Sequence, residues 1–252
     1  MWKYANPTLF MGLAGRLLPW LAGATVLLFA AGLYGAALAP DDYQQGATVK
    51  IMYIHVPCAW LAMAGWGAMS LSALGVLVWR HPLAEVAMKA AMPIGAAFTL
   101  LCLITGSLWG QPMWGTWWVW DARLTSVLVL FLMYLALMAL WHAIEDPSKA
   151  ARISAVLVLV GAINIPIIKF SVEWWNTLHQ GASVFRIGGS TIYSWNMLWP
   201  LLDMALAFTL LFVTLHLTAM RNEILRRRIR TMRLMAAAGV TPAMTASLPV
   251  EA

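Results

Sequence analysis

Long apolar runs recur along almost the whole chain, separated by short polar segments. At about 20 apolar residues per membrane crossing, they predict helices over 17–39, 51–79, 90–109, 124–143, 153–171 and 197–220. The first run, Leu17 to Ala39, ends in Ala37-Leu38-Ala39, which imitates a signal-peptidase site. A signal segment has an apolar stretch of about 7–15 residues, and this run is longer and uncharged, so it is read as a retained helix. Pro57, Pro93, Pro166 and Pro200 lie inside or near the ends of spans, where neighbouring helices can satisfy freed backbone groups and kinks are expected. The expected fold is therefore all-α: one polytopic membrane unit of six transmembrane helices over residues 1–235, followed by an unstructured tail over 236–252.

Composition supports this reading. The chain is 62% hydrophobic and 10% charged, where a soluble domain would carry about 25% charged residues. The net charge of +6 does not point to nucleic acid, because Arg221, Arg226, Arg227, Arg228, Arg230 and Arg233 crowd together directly after the last span. Such a cluster suits a juxtamembrane segment facing anionic lipid. Lys and Arg sort unequally across the six spans. One side collects twelve, from Lys3, Arg16, Arg80, Lys89, Lys149 and Arg152 to the six of the final cluster; the other holds Lys50, Arg123, Lys169 and Arg186. The positive-inside rule then puts both termini in the cytoplasm. Cys58 and Cys102 are too isolated to define a disulfide framework, and neither begins the C-x-x-C-H of a c-type cytochrome.

This topology sorts the histidines. His81, His142 and His216 fall at the cytoplasmic ends; His55, near the start of the second span, and His179, in the third outer loop, share the outer face. The second outer loop, 109–125, carries Trp109, Trp114, Trp117, Trp118 and Trp120 with Gly and Pro interleaved. Interfacial belts account for single tryptophans. This density fits an amphipathic platform better, and a flat aromatic surface suits a large, planar, apolar ligand. Asp121 and Arg123 stand where the platform meets the fourth helix. They read equally as an interfacial ion pair or as groups serving the ligand, with Arg123 meeting a carboxylate and Asp121 orienting its neighbours. A histidine near an interface is ordinarily just hydrogen-bonded. Two on one side, with the platform between them in sequence, are candidates to ligate a haem iron from opposite faces. The third outer loop adds Trp174, Trp175, Trp195, Arg186 and the flexible Gly188-Gly189-Ser190. Asp203, Lys169 and Glu173 are ionisable groups at depth that tend to face a cavity or partner; no task is assigned to them. No Walker motif and no nucleophile–base set occurs, so neither an ATPase nor a hydrolase is expected.

The run Trp114-Gly115-x-x-Trp118-x-Trp120-Asp121-x-Arg123-Leu124-Thr125 resembles the tryptophan-rich signature of the haem-handling superfamily. That superfamily includes cytochrome c maturation proteins C and F and the cytochrome c synthase of the other assembly system. Six spans, short length and flanking histidines resemble protein C in particular, over essentially residues 1–235. The resemblance implies a bacterial inner-membrane protein that holds haem b as cargo at the periplasmic surface and delivers it to a membrane-anchored chaperone, maturation protein E. It implies His55 and His179 as axial iron ligands, and Trp114, Trp118, Trp120, Asp121 and Arg123 in the haem platform and the chaperone contact. It also implies companions: ABC-type transporter subunits A and B and the small membrane protein D. Rival classes remain open from the residues alone. A b-type electron-transfer cytochrome would place its histidines inside the spans, and a haem-translocating subunit of an ABC-type complex would need polar groups through the membrane. A purely structural subunit would leave the tryptophans unexplained.

Overall fold

The computed structural model describes residues 6–181, 183–184, 189–192 and 194–238. Lys3, Arg186, Gly188 and the tail beyond residue 238, all used in the sequence reading, lie outside the described residues. Seven helices follow one another: α1 Pro7–Leu38, α2 Met52–Trp79, α3 Pro82–Trp114, α4 Ala122–Ala143, α5 Pro147–Gly161, α6 Asn164–Trp174 and α7 Trp195–Ala237. A single 3₁₀ turn, Ala47–Ile51, leads into α2, and no strand occurs among the described residues. Because α5 and α6 together form one crossing, six segments are long and apolar enough to span a bilayer. The all-α, six-span expectation holds, and the chain is a multi-pass membrane protein.

Local chemistry sets the helix ends. Asn6, Asp121 and Asp146 cap α1, α4 and α5, their side-chain oxygens accepting from the amides of Thr8, Leu124 and Ser148, which satisfies donors that a first turn leaves orphaned. Pro7, Pro82 and Pro147 begin α1, α3 and α5, where the missing N–H costs nothing. Pro57, Pro93 and Pro200 are absorbed inside continuous helices. Pro166 is not. It offers no N–H to the Ala162 carbonyl and its ring crowds that group. The chain turns at Ala162 and Ile163, with Ile163 N–H donating to Val160 at 3.3 Å and Ile165 N–H to Ala162 at 3.1 Å. The fifth crossing is thereby split, so that α5 rests on α2 while α6 leans on α4.

Four crossings extend well beyond the expected bounds: α1 begins at Pro7, not 17; α3 covers 82–114, not 90–109; the fifth, α5 with α6, covers 147–174, not 153–171; and α7 covers 195–237, not 197–220. A hydropathy count stops at the first charges, whereas backbone hydrogen bonding does not. In α3 and α7 those charges satisfy one another. Lys89 lies 2.8 Å from Glu223, and Arg227 bridges Glu85 at 2.8 Å and Glu223 at 3.0 Å. Lys89 also sits 4.8 Å above the Trp141 ring. At this end Arg228 donates to the Thr8 hydroxyl at 3.3 Å, so the two ends of the described chain meet there. The mid-bundle core joins α2, α4 and α5: the Trp66 indole donates to the Val158 carbonyl at 3.0 Å and the Tyr134 hydroxyl to the Ala62 carbonyl at 2.9 Å. Asp203 lies at the α1–α7 contact beside Gly32.

Candidate functional site

A cavity of about 880 Å³ opens at the other end of the bundle, bounded by α2, α3, α4, α6 and the segment that leads to α7. That is ample for a drug-sized or larger ligand, since such sites run to about 300–1,000 Å³. Apolar side chains form much of its wall, among them Met52, Val56, Ala59, Met63, Val127 and Leu130, and polar and charged ones, including Asp42, Gln45, Lys169 and Glu173, line it as well. His55, His179, Trp114, Trp118 and Arg123 all line it. The third helix runs from the ion pairs at its first turns to this cavity at its last.

The two histidines, 124 positions apart in sequence, face each other with ring centres 6.5 Å apart and planes inclined by 36°. Metal–nitrogen bonds of about 2 Å, with each ring centre about 1.1 Å further on, would separate the centres of two imidazoles on one metal by about 6.2 Å. Each ring already has a partner at Nδ1: the Thr105 hydroxyl at 3.0 Å for His55, and the Gln180 carbonyl at 2.7 Å for His179. A carbonyl can only accept, so His179 donates from Nδ1 and keeps its lone pair on Nε2. Burial, and then the Arg123 guanidinium, hold His179 below its ordinary value of 6.5, while the Gln180 carbonyl acts in the opposite sense. Its imidazole is thus neutral near pH 7, the form that ligates metal. Among the described residues no group of three or more His, Cys, Asp and Glu side chains surrounds a common point. A metal between these imidazoles would bring its equatorial ligands with it, as a porphyrin does.

Aromatic rings frame the pair. Trp109 meets His55 edge-on at 5.7 Å and is tethered by its indole N–H to Gln45 at 2.8 Å. Trp114 approaches His179 at 6.3 Å. The Trp118 indole N–H is buried with no partner among the described residues, a donor left open in the cavity wall. Arg123 donates from Nε to the Ser171 hydroxyl at 2.7 Å and from Nη2 to the Lys169 carbonyl at 3.4 Å. It has no carboxylate at ion-pair distance among the described residues, so the interfacial ion pair with Asp121 is not formed. Asp121 instead caps α4, accepting from the Leu124 amide at 2.8 Å.

The expected platform is divided. The stretch 109–125 is not one loop: Trp109–Trp114 completes α3, which ends at Gly115 with φ 74°, a left-handed conformation that glycine adopts without strain. Helical spacing brings Gly106, Trp109, Gly110, Met113 and Trp114 onto the cavity wall together. Trp120, 75% exposed, stands against Trp118 at 5.5 Å but points outward, as does Trp117. Trp120 and Asp121 do not line the cavity. Lys169 and Glu173 do line its rim, whereas Asp203 does not. Sequence reasoning missed Gln45, Thr105, Gly106 and Ser171. Of these only Gly106, a glycine inside an apolar helix, carried a signal, that of a close approach. A Cβ there would stand 2.9 Å from His55 Cε1.

Fold and cavity together define a multi-pass helical membrane protein with a paired-imidazole site at one end of its bundle. The chain belongs to the Heme exporter protein C family, whose model matches residues 1–235. It is 73% identical to the Heme exporter protein C of Bradyrhizobium diazoefficiens, over 92% of this chain and 88% of that protein. Similarity to the proteins of that name from Paracoccus denitrificans (47% identity; 91% of this chain, 95% of that one) and Escherichia coli (46%; 89% and 92%) also spans nearly the full lengths.

Proposed function

We propose that this chain binds haem b as cargo at the periplasmic face of the bacterial inner membrane and delivers it to a periplasmic haem chaperone during cytochrome c biogenesis. The observation that carries this reading is the pair His55 and His179, ring centres 6.5 Å apart in the wall of an 880 Å³ cavity, with each Nδ1 occupied. In this reading both Nε2 atoms ligate the iron, Trp114 and Trp118 cover the porphyrin, and Arg123 neutralises a propionate. Its remaining N–H groups are suited to that role, because its present partners are a neutral hydroxyl and a carbonyl. Asp121 serves indirectly, by starting α4 two residues before Arg123. Trp120, exposed beside the cavity, belongs to the chaperone contact. With both termini cytoplasmic, as the distribution of Lys and Arg argues, the cavity faces the periplasm.

Cargo must also leave. His179 sits on a loop between α6 and α7 and its Nδ1 partner is the very next residue, so it can move without disturbing a helix. The receiving partner is maturation protein E; subunits A and B of an ABC-type transporter and the small protein D complete the assembly, and ATP hydrolysis is supplied by that transporter. The chain itself acts as a delivery component and not as an enzyme. The test is the oxidised and reduced visible spectrum of the purified protein, compared with His55→Ala, His179→Ala and the double variant. A low-spin bis-histidine spectrum altered by each single change supports the reading. Haem bound unchanged in the double variant discards these ligands, and absence of haem from the wild type discards the function.

A further inference from the structure

Thr105 stands one helical turn beyond Leu101 on α3, and its hydroxyl is 2.6 Å from the Leu101 carbonyl and 3.3 Å from that of Cys102. The same oxygen is 3.0 Å from His55 Nδ1. A hydroxyl has one proton, and a backbone carbonyl can only accept. The proton is therefore committed to the backbone of α3, and the oxygen turns a lone pair to the imidazole. His55 must supply the hydrogen from Nδ1, which leaves Nε2 as its basic nitrogen. The next residue, Gly106, lets the ring lie close against the helix, because a Cβ would come within 2.9 Å of Cε1.

We infer that Thr105 is the positioning residue of His55: it selects the Nδ1–H tautomer, fixes the ring against α3 and strengthens Nε2 as a ligand. The inference rests on the proposed reading of His55 as an iron ligand. It also distinguishes the two imidazoles. The Nδ1 partner of His55 belongs to a long helix, whereas that of His179 is the carbonyl of its own loop. Thr105 thus makes His55 the ligand that stays while His179 lets go.

The experiment compares wild type, Thr105→Val, Thr105→Ser and His55→Ala, purified from membranes with haem, by visible spectrum, haem dissociation rate and midpoint potential. Valine keeps the shape and removes the acceptor. Loss of such an outer partner typically weakens a metal site by about 10–100-fold, so Thr105→Val is expected to release haem at least about tenfold faster. Its midpoint potential rises, because an imidazole that loses the hydroxyl acceptor at Nδ1 gives less charge to the iron. Thr105→Ser restores the release rate to within about twofold of wild type and returns the potential to the wild-type side. Should the valine variant fail to accumulate, Thr105→Ala removes the same hydroxyl without introducing a new methyl group. Rates and potentials equal to wild type in the variants without a hydroxyl overturn the inference, as does a serine variant that behaves like valine. A spectrum unchanged in His55→Ala would instead remove the site itself, which separates failure of the ligand assignment from failure of this inference.

Discussion

At the first turns of α3, Glu85 and Lys89 meet Arg227 and Glu223 of α7, and four charges cancel across distances of 2.8–3.0 Å. At its last turns, Gly106, Trp109 and Trp114 border a cavity in which His55, His179, Trp109 and Arg123 are held by neutral partners: hydroxyls, carbonyls and one amide side chain. The contrast separates two uses of polarity in an apolar bundle. Charges that neutralise one another close the structure and leave nothing for a ligand. Imidazoles held at Nδ1, and a guanidinium held by uncharged oxygens, leave Nε2 and further N–H groups uncommitted, which is the capacity the proposed haem site requires.

The largest expected effect tests that division directly. His55→Ala should lower haem retention about 100-fold while leaving thermal stability near wild type, since losing a metal ligand costs more than losing its outer partner. Glu223→Ala should do the reverse, leaving the haem spectrum intact and costing about 1–3 kcal/mol of stability, because Lys89 and Arg227 lose a buried carboxylate but remain partly solvated. Haem titration and thermal melting of the two variants measure both halves; a Glu223 variant that lost haem would erase the distinction between the ends.

Gly106→Ala tests how the His55 ring is seated. It drives a methyl group into the His55 ring, so retention should fall about tenfold with a changed low-spin spectrum, as for other disturbances of a ligand's support. A spectrum identical to wild type would mean that the ring can shift without losing the metal. Arg123→Gln should weaken haem binding by about 1.5–3 kcal/mol, the range for a hydrogen bond to a charged group. The loss should vanish when both propionates are esterified; a deficit that persists with the ester assigns Arg123 to scaffolding through Ser171. The smallest effect belongs to Trp120→Ala. The ring is exposed and outside the cavity, so haem affinity should stay within about twofold, as is usual for exposed sites, while transfer to the chaperone slows. Equal loss of affinity in Trp120→Ala and Trp118→Ala would return Trp120 to the haem platform.

Much of this molecule was legible from one sequence, for reasons that differ by element. Six crossings could be read because lipid demands about 20 apolar residues wherever a helix passes through it. The signature run pointed to one end of the bundle, and His55, His179, Trp114, Trp118 and Arg123 line one cavity there. Helix lengths were not legible at Glu85, Lys89, Glu223 and Arg227, because a charge that ends a hydropathy window continues a helix when its partner lies on another helix. The break at Pro166 was no easier to foresee, since Pro57, Pro93 and Pro200 are accommodated without one.

By itself, then, the sequence determined the solvent of this chain, the number of its crossings and the residue types gathered at one end, all of which follow from local composition and spacing. Only the tertiary structure decided that His55 and His179 face each other at 6.5 Å, that Trp120 turns away while Trp118 turns in, and that Thr105 and Gln180 occupy the two Nδ1 atoms. Those facts depend on how helices distant in sequence pack and on which carbonyls and hydroxyls that packing brings within hydrogen-bond reach. No periodicity along one strand of residues encodes a distance between two.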